Sequence, residues 1–378
     1  MNRYILLILC ILCTFLWANQ KTQDLNLAQG MRYPCFSHDD TAIAFSLYGD
    51  IWIASIQGGK AIRLTLSDKD DVKPRWSPDG RTIAFSSNRS GNFDIWTIPA
   101  HGGKPTQLTF HSEWDSISDW TSDGKWILFH STRSGSMELW KIASTGGTPI
   151  QLTYDSGRDA AISPDLQTIV YTRGEAQYWK KQHQGSDNWD IFSTSFNEYT
   201  LPTQLTKTSD NEKDPFFDAS GNYIYYFRDA PHPQDKTKKT TNLWRMNKDG
   251  KNQTQLTAFP LDLITPSPNR ARTKIIFEAN FQIYQMDLDK TDAYRIPIYI
   301  DSDEKNNHIE TKIITSGSEM AHWSPDSKTI AFTLDDDIYT MPIHGGQATR
   351  ITKSMHTNEW PRYSPDGTHL AYVSNKNG

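Results

Sequence analysis

Cysteine is scarce in this chain: there are three in 378 residues, and two of them, Cys10 and Cys13, lie in an apolar run at the N-terminus. Without that run only Cys35 remains, so no internal disulfide can staple the fold and stability must come from packing. Neither sign of charge dominates, since 39 Lys and Arg against 44 Asp and Glu leave a formal −5. Such a balance offers no basic face for nucleic acid. Long apolar stretches are missing after residue 18, and a mean hydropathy of −0.64 excludes a polytopic membrane protein. Helical signals are missing as well: beyond residue 20 no segment keeps a 3.6-residue apolar period between good caps. What is abundant is aromatic surface, 12% of residues with 13 Trp, which argues against disorder.

The N-terminus is a separate matter. Arg3 precedes a fourteen-residue apolar run from Tyr4 to Trp17, and polar sequence begins at Asn19. A membrane-spanning helix needs roughly 20 residues, so the layout predicts a secretory signal peptide over residues 1–18, cleaved between Ala18 and Asn19. The competing reading is an uncleaved anchor. The expected destination is therefore outside the cytoplasm, periplasmic or secreted, unless 1–18 is not a signal.

The most informative feature is an internal repeat. One unit runs Pro74-Arg-Trp-Ser-Pro-Asp-Gly80, then Ile83-Ala-Phe-Ser-Ser-Asn-Arg-Ser-Gly91, then Asp94-Ile-Trp96, Gly102-Gly103 and Gln107-Leu-Thr109. Its turn word returns around Ser37, Thr121, Ser163, Asp218, Ser267, Ser324 and Ser364. Its Asp-Ile-Trp word returns at Asp50, Glu138, Asp190, Asn242, Gln282 and Asp337. Each unit reads as four short strands: a Ser-Pro-Asp-Gly turn, an alternating second strand, the Asp-Ile-Trp-type third strand, and a Gly-Gly turn into Gln-Leu-Thr. Four-stranded units of about 40–45 residues predict an all-β fold of propeller blades. The expected organisation is a six-bladed β-propeller over 31–300, a polar linker at 301–311, and the first blades of a second, truncated propeller over 312–378. A single ring of seven or eight blades is the competing count.

Familiar catalytic words are absent. There is no Gly-x-Ser-x-Gly elbow, His-Glu-x-x-His pair, dinucleotide fingerprint or phosphate loop. The turn serines recur in most units, whereas a nucleophile is needed once, so they are read as structural. Acidic clusters at Asp68, Asp70 and Asp71, at Asp301, Asp303 and Glu304, and at Asp335, Asp336 and Asp337 lack the spacing of a calcium loop and are read as solvated. No catalytic, metal or cofactor residue is assigned. One insertion in the fourth unit departs from the repeat and combines aromatic with basic groups: Trp179, Lys180, Lys181, His183 and Trp189. It is the candidate contact loop for a peptide or a neighbouring subunit, against the alternative that it packs across its blade. The Lys-rich tip at 228–241 is read as a solvated hairpin.

These repeats resemble those of TolB, of prolyl-oligopeptidase propellers and of tricorn-type serine peptidases. Three features are most similar to the tricorn-like group. Blades begin at Met31, leaving no room for the α/β domain that precedes the TolB propeller. The insertion from Tyr178 to Phe192 looks like a Trp-Lys/Arg…Gly…Asp-Ile-Trp segment of that group. The passage Arg295-Ile-Pro-Ile-Tyr-Ile-Asp301 looks like its junction between six- and seven-bladed propellers. The resemblance implies a non-catalytic propeller part of an exported serine peptidase that shapes peptide access to, or exit from, a core lying elsewhere. It also implies partners: peptides or unfolded polypeptide, downstream propeller, PDZ and peptidase domains, and further copies of the chain. In the family, basic residues between blades two and three hold a substrate carboxylate. Here residues 110–120 contain no Arg or Lys and carry Glu113 and Asp115, so the resemblance transfers no anchor. The alternatives are a TolB-like periplasmic binding propeller and the propeller cap of a prolyl-oligopeptidase-type enzyme.

Overall fold

The computed structural model describes residues 26–174, 188–290, 292–301, 319–334, 336–352 and 357–375. Among them every regular element is a β-strand. The chain divides into two units, Met1–Thr311 and Lys312–Gly378. The first contains six antiparallel four-stranded sheets, each built from one stretch of the chain, and they serve here as blades one to six. In blade two the strands are Asp71–Trp76, Thr82–Ser87, Asp94–Pro99 and Thr106–Gln107. The second unit contains one further four-stranded sheet, starting at Glu319–Trp323, and a two-stranded sheet of Asn358–Tyr363 with Leu370–Ser374.

The second strand of each blade is buried on both faces, and in blades one and two its word is Ile-Ala-Phe. Ile83 and Phe85 are fully buried against blade one's Ala44 and Ile51, while the intervening Ala84 packs against Ile117, Ile127 and Phe129 of blade three. Large side chains on one face and a small one on the other let successive blades interlock. Each such Ile or Phe stabilises the fold by about 1.5–3 kcal/mol through burial. The same packing closes the ring: Ile276 and Ile283 of blade six share a core with Ile43, Phe45 and Trp52 of blade one. A three-stranded sheet adds to the closure. Ile298–Ile300 pairs antiparallel with Asn26–Leu27 and parallel with Gly59–Lys60. Gly58 is required there, because a Cβ on it would meet the Pro297 carbonyl oxygen at 2.4 Å.

The turn and closing words have physical roles. Ser77 donates its hydroxyl to Asp79 at 2.6 Å and accepts the Thr82 N–H at 3.0 Å, so one side chain fixes both ends of the hairpin. The last turn position needs a left-handed backbone: Gly80 has φ 73°, and where glycine is missing Asp40, Leu166, Arg272 and Ser327 adopt φ 59°, 58°, 53° and 58°. Blade six departs from the expectation in its register. The hydrogen bonds equivalent to those of Ser77 are made by Asn269, whose Oδ1 accepts the N–H groups of Thr273 and Lys274, both at 2.9 Å. The sequence Pro266-Ser-Pro-Asn269 imitates the turn word two residues early, so Ser267 belongs to the strand and not to the turn.

The acidic residue opening the third strand is tied to the closing threonine. Thr109 Oγ1 accepts the Ile95 N–H at 2.9 Å and donates to Asp94 at 3.2 Å. Equivalent bonds join Thr153 to Glu138, Thr206 to Asp190, Thr257 to Asn242 and Thr352 to Asp337. The third-strand aromatic lies beneath a guanidinium that is itself paired. Arg89 sits 5.0 Å from the Trp96 ring and bonds Asp71 at 2.5 Å, and Arg133 covers Trp140 while pairing with Asp115. Asp71, read from sequence as one of a solvated cluster, and Asp115 are therefore buried members of ion pairs within their own blades.

Candidate functional site

The first strands of all six blades converge on a cavity of about 750 Å³. What aims side chains into it is a one-residue β-bulge repeated in every first strand. Register shifts occur at Arg32/Cys35, Val72/Arg75, Ile117/Asp119, Arg158/Ala161, Lys213/Phe216 and Ile264/Ser267. At five of these bulges one residue takes a left-handed backbone: Tyr33, Lys73, Asp159, Asp214 and Thr265, with φ between 48° and 54°. Non-glycine residues rarely adopt this conformation, and bulges of this kind re-aim a side chain. Proline follows directly at Pro34, Pro74, Pro215 and Pro266, where the ladder is already interrupted and no N–H is needed.

The preceding blade pins four of the six bulges. The Lys73 N–H donates to Ser46 Oγ at 3.1 Å, Ile117 to Ser86 Oγ at 2.9 Å, Asp214 to Thr172 Oγ1 at 3.0 Å, and Tyr33 to Glu278 Oε1 at 2.6 Å. The last of these crosses the ring closure. The cavity's upper layer thus presents Tyr33, Lys73, Ser118, Asp159, Asp214 and Thr265, one from each blade. Two residues further along, about 6–7 Å by strand rise, come Cys35, Arg75, Ala161, Phe216 and Ser267, and in blade three the next residue, Asp119, also lines the cavity.

The lining holds six Lys and Arg against three Asp, the reverse of the chain's overall acidity. Lys73 bonds Asp159 at 3.5 Å. Burial alone would raise the Asp159 carboxyl, but Lys73 and Arg158 hold it well below the usual range. Burial and then the neighbouring Asp159 push Asp214 up to about 6. Burial raises Asp119 too, against the pull of Arg75. Behind this wall His130 is buried and, by burial first and Lys73 second, pushed down to about 3, so it stays neutral. The Cys35 thiol is raised by burial to about 11, which leaves it unreactive. Among the described residues no group of three His, Cys, Asp or Glu is arranged to hold a metal ion.

Of the candidate contact loop, Trp189 belongs to this cavity, with Arg158 5.5 Å and Lys213 5.6 Å from its ring. Trp179, Lys180, Lys181 and His183 lie outside the described residues, as do Ala18 and Asn19. The Lys-rich tip of blade five is a paired hairpin, Tyr223–Pro231 with Lys239–Asn247. The stretch that lacks a basic anchor carries Asp115 inward to Arg133, while Glu113 accepts the Thr132 hydroxyl at 3.2 Å. Sequence reading missed the bulge residues. Their signal was the proline three positions before the turn residue, repeated at Pro34, Pro74, Pro215 and Pro361.

Comparison with known proteins agrees with this architecture. The family described as the tricorn protease N-terminal beta propeller domain matches residues 28–292. The chain is similar to Tricorn protease homolog 1 of Streptomyces coelicolor, 39% identical over 54 residues, 14% of this chain and 5% of that protein. It is also similar to an uncharacterized peptidase of Bacillus subtilis, 33% identical over 79 residues, 18% of this chain and 12% of the other. The chain thus spans only a small part of these relatives. Among solved structures, the tricorn protease matches with a TM-score of 0.58 at 15% identity, over 91% of this chain and 33% of that one. TolB from Acinetobacter baumannii matches with 0.51 at 20% identity, over 63% and 57%. These likenesses show a shared propeller fold, and the match over residues 28–292 places the chain in the family of tricorn protease N-terminal β-propeller domains.

Proposed function

We propose that this chain is the non-catalytic propeller part of an exported tricorn-like serine peptidase, shaping the access of peptides to a catalytic core that lies outside these 378 residues. The observation that carries the reading is the cavity itself: six first strands each turn one bulged side chain into it, giving a rigid, polar, mixed-charge lining suited to an extended polypeptide. The proposal includes a signal at 1–18, a propeller over 31–300, a linker at 301–311 and the start of a second propeller from 312. Fold alone does not imply activity, so the test concerns the parent protein. Antibodies raised against residues 31–300 are used to probe fractionated cells. A band several times the mass of this chain, outside the cytoplasm and co-purifying with serine-type peptidase activity, is expected. A band no larger than the 378-residue chain, without activity, overturns the proposal.

A second reading has its own support. A TolB-like binding propeller would use the same ring without a hydrolase, and the TolB match covers about two-thirds of the chain. The band of small mass would favour it.

A further inference from the structure

We infer that the cavity binds its ligand through a cationic nitrogen, the free α-ammonium or a basic side chain of a short peptide, received by the carboxylate of Asp214. The inference rests on the peptide reading above and adds the group that is recognised. Asp214 is held in place by its backbone: the bulge fixes φ at 53°, Thr172 takes its N–H at 3.0 Å, and Pro215 follows. Its side chain lines the cavity, half-buried, with no hydrogen-bond donor or ion-pair partner among the described residues. The nearest basic groups are engaged elsewhere. Lys73 bonds Asp159 at 3.5 Å, and Lys213 lies over the Trp189 ring. Arg75 donates to the carbonyls of Ser118 and Pro74 at 2.8 and 2.9 Å.

A half-buried carboxylate without donors is stabilised by taking up a proton or by the arrival of a cation. The raised titration of Asp214 reports that balance: burial and Asp159 favour the proton, while Lys213, Lys73 and Arg75 oppose it, and His130 behind Asp159 is neutral. A ligand ammonium supplies three donors where the protein supplies none.

The experiment is calorimetric titration of the full chain with tetra-alanine bearing free termini and with its N-acetyl form. The free-amine peptide is expected to bind at least tenfold more tightly, and D214N to reduce it to the level of the acetylated peptide. Affinity for the wild type should fall between pH 7.5 and pH 5, as Asp214 takes its own proton, and D214N should lose that dependence. Because Asn is isosteric and Asp214 has no partner to lose, D214N should melt no lower than the wild type; Asp214→Ser is the second variant. Equal binding of both peptides, unchanged in D214N, overturns the inference and leaves the peptide reading standing. Binding of neither overturns it as well, and the peptide reading is then decided by the mass and activity of the parent protein.

Discussion

Lys73 Nζ lies 3.5 Å from Asp159 Oδ1, so an ion pair links the first strands of blades two and four past the blade between them, whose bulge carries only the small Ser118. The pair joins non-adjacent blades, which nearest-neighbour packing cannot do. Lys73→Met should lower stability at pH 7 by about 2 kcal/mol, between the values for exposed and buried pairs. The sign with pH follows from the depressed Asp159 carboxyl. Its stabilisation is present above the ordinary carboxylate range and is lost as pH falls through the folded-state value. The gap between wild type and variant, read from urea midpoints, should therefore be full at pH 7 and narrow toward pH 3. A gap that is constant with pH would show that Lys73 acts by packing alone.

Thr109→Val tests whether the closing Leu-Thr word is a hydrogen-bond device. Valine keeps the shape but removes the acceptor of the Ile95 N–H and a donor to buried Asp94. Leaving the Ile95 N–H unsatisfied and removing one donor from Asp94, which keeps Ser90 and Gln107, should cost about 1–2 kcal/mol in thermal or urea unfolding. Blade six supports the pairing logic, since Gln282 stands where the carboxylate would be and Pro297 follows Ile296 where the threonine would be. Both partners are missing together. A loss below about 0.5 kcal/mol would mean the threonine is dispensable.

Much of the fold was legible because its markers are local. Ser77, Asp79 and Gly80 bond within one turn, and Asp94 meets Thr109 within one blade, so each recurs as a word. The turn of blade six was misplaced because Ser267 and Pro268 copy the word while Asn269 makes the bonds. The cavity was not legible. Lys73, Asp159 and Asp214 come from three blades and become neighbours only when the ring closes, and no fixed spacing announces that. Trp189 was singled out for its unusual surroundings, and its place beside the cavity comes from its position at the entry to the third strand of blade four.

Ser327→Gly addresses the left-handed turn position in the second unit. Ser327 has φ 58° where Gly80 and Gly367 have 73°. A left-handed residue with a Cβ costs about 1–2 kcal/mol, and glycine returns part of that gain as unfolded-state entropy. The net expectation is a stabilisation of about 0.5–1 kcal/mol. It is measurable as slower amide exchange in Glu319–Trp323 and Thr329–Leu334. Unchanged exchange would place the local weakness elsewhere.

Glu212 gives the opposite pH dependence to Asp159. Its side chain is buried, accepts the Thr208 hydroxyl and lies 3.3 Å from Arg228 Nε, with Asp190 beside it. Burial, reinforced by Asp190 and opposed by Thr208 and Arg228, pushes its carboxyl up from 4.5 to about 8. The folded state therefore holds a proton at pH 7 that the unfolded chain releases. A raised value means stabilisation that is fully present below pH 4.5 and is lost as pH rises to about 8. Glu212→Gln cannot ionise, keeps the shape and leaves Arg228 its bond to Asp210 at 2.9 Å. Wild type and variant should melt alike near pH 5, and the wild type should then fall behind progressively up to pH 9. Parallel melting profiles across that range would show that Glu212 is ionised in the folded protein and that Arg228 outweighs its burial.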